Sequence, residues 1–189
     1  MSMVSFIFVL LCSVFSFAQQ ANIKASFVVS PFGDFTANIA GIKGSATMNG
    51  TQFTAKNVTA DLNTFSSGNG LRDTHAKDKY LEVKKFPTVE LLEASGSNGK
   101  GVAKIKMKDK IQSVEGTYKI IGSNQFIQAA FNVELSKFGI DNVNHKGMGV
   151  EDKVKIEAML PITKSANGSE PVKAANSAEP AKSSKTNSK

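Results

Sequence analysis

From Ile23 to Leu160 apolar and polar residues alternate with a period of two, the spacing of strands that turn one face to a core and the other to water. Apolar residues hold the odd positions in Ile23, Ala25, Phe27 and Val29, and again in Phe35, Ala37 and Ile39. Even positions take over in Val58, Ala60 and Leu62. In the run Ala103-Lys104-Ile105-Lys106-Met107-Lys108 the alternation is strict and puts the lysines on the opposite face. Further strands are expected over 114–121, 126–135 and 154–160, the second with Phe131, Val133 and Leu135 aligned. The Ser-Gly-Ser-Asn-Gly-Lys-Gly run at 95–101 marks a turn, and Asp109-Lys110 marks another. Many short strands with hairpin connections predict an antiparallel sandwich or barrel.

One stretch breaks the period. Over 70–87, Leu71, Thr74 or His75, Asp78 and Leu81 recur at helical spacing, and Pro87 forbids a continuation. A helix of about two turns is expected here, crossing between strands and covering one end of the barrel.

The two ends of the chain differ from this middle. Residues 1–18 carry an apolar run from Met3 to Phe17 and small residues at Ser16 and Ala18, which reads as a secretory signal cleaved after Ala18. A periplasmic or secreted protein is therefore expected. Cys12, the one cysteine, lies in that segment, so the mature chain has no disulfide or thiol chemistry. Residues 165–189 contain no aromatic residue and a single valine, Val172, and read as a disordered, mildly basic tail able to touch an anionic envelope surface. Residues 19–164 form the one expected domain, large enough to bury about two-thirds of its unfolded surface.

Charge and composition narrow the chemistry. The formal charge is +7, yet Arg72 is the only arginine and almost all the lysines are scattered singly; a nucleic-acid surface needs clustered basic residues with stacking aromatics, so nucleic acid is not an expected partner. The sequence holds no Gly-x-Ser-x-Gly elbow, no His-Glu-x-x-His and no phosphate-cradling loop. His145 has no second ligand at a metal spacing; no metal, cofactor or catalytic residue is expected, and the 142–149 stretch around it reads as a loop. A hydrolase or lyase using Asp73 and His75 is the weakest reading, since two polar residues on one helix do not make a triad.

Gly70-Leu71-Arg72-Asp73-Thr74-His75, followed by Lys79-Tyr80-Leu81 and Lys85-Phe86-Pro87-Thr88-Val89, resembles the signature of the YceI-like family. The likeness extends through Ser26-Phe27-Val28-Val29, Phe138-Gly139-Ile140 and the closing strand at Val154–Ile156. It implies an all-β fold, an eight-stranded antiparallel lipocalin-like barrel with one short helix over an end, holding a polyisoprenoid, isoprenoid quinone or fatty-acid-like chain. Ala76 and Leu81 stand where the family usually has leucine and a second aromatic residue, and Leu135-Ser136-Lys137 stands where an arginine is common. These departures imply a widened or reshaped cavity, so the identity of the ligand does not carry over from the family.

The expected apolar lining is Phe27, Phe35, Val58, Leu62, Leu71 and Val89, continued by Leu91, Ile105, Phe131, Val133 and Phe138. The same period would serve a filled barrel acting as an interaction module of the envelope, and only the resemblance favours a cavity. Arg72, His75 and Tyr80 are the candidates for a polar head group. An arginine and an acidic residue at a helix start also have a structural use, tying the helix to strand carbonyls and complementing its dipole. Pairing with a second copy stays open.

Overall fold

In the computed structural model the residues described are 20–31, 33–145 and 148–164. The expected leader and tail lie outside them. The strands are β1 (Asn22–Phe27), β2 (Val29–Ser30), β3 (Phe35–Ile39), β4 (Ala46–Asn49) and β5 (Gln52–Asp61). Helix α1 (Gly70–His75) follows, and then β6 (Thr88–Ser97), β7 (Lys100–Met107), β8 (Lys110–Ile121) and β9 (Phe126–Glu134). The chain ends in β10 (Asn144–His145), β11 (Met148–Val150) and β12 (Lys153–Lys164).

Strands β4 to β9 pair antiparallel in sequence order, β9 pairs with β12, and β12 returns to β4. The ring therefore closes through seven strands, with β1 and β3 added beside it. Strand β12 makes this possible by its length. One edge lies on β9 over residues 153–161, whereas the other is shared between β1, opposite 155–159, and β4, opposite 162–164. The β12–β4 pairing is parallel. The expected eight-stranded antiparallel barrel is thus realised as a seven-strand ring carrying two added strands.

Two irregularities set which residues face inward. The β6–β7 register shifts between Leu91 and Glu93, and Asn57 on β5 has a φ of 53°. An extra residue in a strand reverses the alternation beyond it. Inward positions accordingly change from Leu91 to Ala94 on β6, and from Phe53 and Ala55 to Val58 and Ala60 on β5.

The turns are tighter than expected. Strands β6 and β7 run into the glycine-rich stretch and leave only Asn98-Gly99, both at positive φ, as the turn. The next turn is Lys108-Asp109, one residue earlier than the alternation suggested. Lys108 is consequently not on the wet outer face: its side chain is largely buried, pairs with Glu82, and donates to the Tyr80 carbonyl at 3.0 Å. The 142–149 stretch, expected as a loop, contains β10 and most of β11; β10 pairs with β11, and β11 pairs with β2.

Candidate functional site

The strands enclose a cavity of about 540 Å³, lined almost wholly by apolar side chains and within the range of about 300–1,000 Å³ usual for ligand pockets. Three apolar clusters form its wall. One centres on Phe138 and Val154, a second on Ala37, Leu62 and Phe65, and a third on Phe53 and Ile127. Strand β5 gives the direction: it runs from the β4–β5 turn to Asp61 and leads to α1 at the opposite end. Helix and β10–β11 hairpin share that end, since Tyr80 donates to the Asn144 carbonyl at 3.2 Å.

Helix α1 begins at Asn69, whose side chain caps it by accepting from the Arg72 amide at 3.1 Å. Beyond His75 the chain continues as a π-turn, Ala76–Tyr80, in which the Leu81 amide reaches back to the Ala76 carbonyl at 2.9 Å. A wider turn rotates the following side chains relative to a regular helix. Leu81 packs inward, whereas Leu71, expected on the same face, is 77% exposed at the mouth.

The polar residues here form a latch. Arg72 Nε donates to Ser67 Oγ at 2.8 Å and a terminal nitrogen donates to the Ser67 carbonyl at 3.2 Å. Ser67 in turn donates its hydroxyl and its amide to one oxygen of Asp73, and Ser66 donates to the other. Burial opposes ionisation of Asp73, but the Ser67 and Ser66 hydrogen bonds outweigh it and hold the carboxyl below its ordinary value. On the far side of the helical segment, the hydrogen bond and charge of Lys108 hold Glu82 below the usual carboxylate range.

An aromatic stack joins latch to cavity. The Arg72 guanidinium lies 4.1 Å above the Phe35 ring, Phe35 stacks on Phe27 at 4.7 Å, and Phe27 meets Phe65 edge-on at 6.4 Å. The rings of His75 and Tyr80 are near-parallel at 6.0 Å. Two of the five guanidinium donors are committed to Ser67, so Arg72 ties the lid down while it borders the opening.

The structure places Phe27, Phe35, Val58, Leu62, Leu71, Val89, Leu91, Ile105, Phe131, Val133 and Phe138 on the cavity lining, together with Arg72, His75 and Tyr80. They do not contribute equally. Leu62 and Phe138 are each 1% exposed and hold the wall, leaving almost no surface to a ligand. Phe27, Phe35, Leu91 and Phe131 are half-buried although they point inward, so their remaining surface faces the cavity. Sequence reasoning missed Phe53, Tyr118 and Met159 on the lining; the change of phase between Ala55 and Val58 was the clue to Phe53. No group of acidic, histidine or cysteine side chains able to hold a metal occurs among the described residues.

A family model of the YceI-like domain matches residues 17–161. The chain belongs to that family. No curated protein matches it in sequence. Among solved structures, Burkholderia cenocepacia BcnA is similar with a TM-score of 0.57 at 16% identity, covering 75% of this chain and 96% of its own. A polyisoprenoid-binding domain from Saccharophagus degradans, implicated in plant cell wall breakdown, is similar with a TM-score of 0.53 at 9% identity, covering 74% and 91%. At these identities the likeness is one of fold. Within this YceI-like barrel, Ala76 and Leu81 both line the cavity.

Proposed function

We propose that this protein is an exported carrier, and not an enzyme, that sequesters one long apolar chain, an isoprenoid, isoprenoid quinone or fatty-acid-like lipid, inside its barrel. The observation that carries the reading is the apolar cavity of about 540 Å³ within the barrel. Each buried methylene contributes about 0.8 kcal/mol, so a chain laid along Phe131, Leu91 and Phe27 binds tightly with few hydrogen bonds. The polar end of the ligand sits at the mouth beside Arg72, whose guanidinium suits carboxylate or phosphate oxygens, with His75 and Tyr80 nearby. A neighbour of the same fold is a polyisoprenoid-binding domain, and that ligand class fits a lining of this character. Export rests on the leader at residues 1–18.

Native mass spectrometry of the mature protein, followed by organic extraction, tests the reading. One lipid per protein is expected in the wild type, none in Phe131→Asp, and an altered head-group preference in Arg72→Ala. A clean apo mass that persists after incubation with prenyl alcohols and fatty acids would overturn it.

A further inference from the structure

The end of the barrel opposite α1 is built unlike its mouth. Glycine stands at one level on three neighbouring strands: Gly96 on β6 pairs with Gly101 on β7, and Gly101 with Gly116 on β8. Glycines there offer the interior no side chain and leave a bare stretch of wall. Phe53 pairs with Gly96 from the other side and covers it. A Cβ on Gly96 would lie 2.5 Å from Phe53 Cε1, and one on Gly101 would lie 3.4 Å from the same ring, so the ring rests on both glycines.

The ring is also held from the side. Tyr118 meets it edge-on, with centroids 4.6 Å apart and an interplanar angle of 71°, and the Tyr118 hydroxyl donates to the Thr51 carbonyl in the β4–β5 turn at 2.9 Å. Phe53 is the first inward residue of β5 after that turn, is buried, and borders the cavity. A chain that enters beside α1 and runs toward the β4–β5 turn meets this ring at the far end of β5.

The geometry points to Phe53, braced by Tyr118 and bedded on Gly96 and Gly101, as the residue that sets the length of apolar chain the barrel accepts. The inference rests on the carrier reading above and adds its length specificity. Covering glycine with an aromatic ring stabilises a sheet by itself, and a purely structural role would alter stability without altering which lengths bind.

The test is a binding series of all-trans prenyl alcohols of increasing length, read by native mass spectrometry on wild type, Phe53→Ala and Phe53→Leu. Wild type is expected to bind up to a limiting length. Phe53→Ala removes a phenyl group and raises that limit by about one isoprene unit, while shorter chains still bind. Phe53→Leu, which keeps most of the apolar bulk should the alanine variant fail to fold, shifts the limit less and in the same direction. A wild-type limit unchanged in both folded variants overturns the ruler and leaves the carrier standing; no binding by wild type at any length overturns both.

Discussion

Asp73 shows how one side chain serves the lid. Its carboxylate receives the Ser67 amide and hydroxyl and the Ser66 hydroxyl, and its ionised form is favoured despite partial desolvation. A group whose folded pKa is depressed adds stability that is present above the unfolded value and lost as pH falls through the folded one. The latch should hold above the ordinary carboxylate value of 3.8 and weaken below it. The Ser67 amide resonance, followed by NMR, is expected to titrate with a midpoint under 3.8, and Asp73→Asn should abolish that titration. A midpoint at or above the ordinary value would show that the hydrogen bonds do not favour the charged form. The identities of Arg72, Asp73 and His75 made this segment conspicuous in the sequence, but Ser67, at the centre of the latch, carried no pattern. Its importance comes from the loop that folds it against α1.

At the scale of elements, periodicity located nearly every long strand, because a strand with one wet and one enclosed face must alternate. It said less about the short ones. Strands β10 and β11, of two and three residues, are too brief for a period to develop, and the pairing of β11 with β2 joins segments far apart in sequence. The bulges were half visible: the change of phase in β5 could be read, whereas the one at Leu92 was hidden among apolar neighbours.

Close packing of adjacent strands also depends on glycine where the register demands it. A Cβ on Gly116 would meet the Ala130 carbonyl oxygen at 2.4 Å and Phe131 Cβ at 2.8 Å, both on the neighbouring strand β9. Gly116→Ala is expected to cost about 1–3 kcal/mol through overpacking. Urea unfolding would register this as a lower midpoint with an unchanged slope; an unchanged midpoint would mean that β8 and β9 separate at little cost. The surface ion pair Lys104–Glu93, at 2.7 Å across β7 and β6, should matter far less, since exposed pairs contribute about 0–1 kcal/mol.

For the whole molecule, a cavity that holds a ligand only in the folded state links binding to stability. At a free ligand concentration of about 100 times Kd, the folded protein should gain about 2.7 kcal/mol, seen as a rise in Tm with added prenyl alcohol. Phe131→Asp should remove that rise. A Tm insensitive to every chain tried in the wild type would count against ligand burial in the barrel.

The amino-acid sequence by itself determined the all-β class, the position of the helical interruption and much of the inward face, because strand period and the stop at Pro87 are local properties; the phase of that face beyond the bulges near Asn57 and Leu92 was not among them. Only the tertiary structure decided that the ring closes through seven strands, that β12 divides one edge between β1 and β4, and that the interior is hollow. Closure depends on pairings between distant segments. A hollow interior depends on the difference between the space a ring of this girth encloses and the volume its side chains occupy, and alternation carries no measure of either.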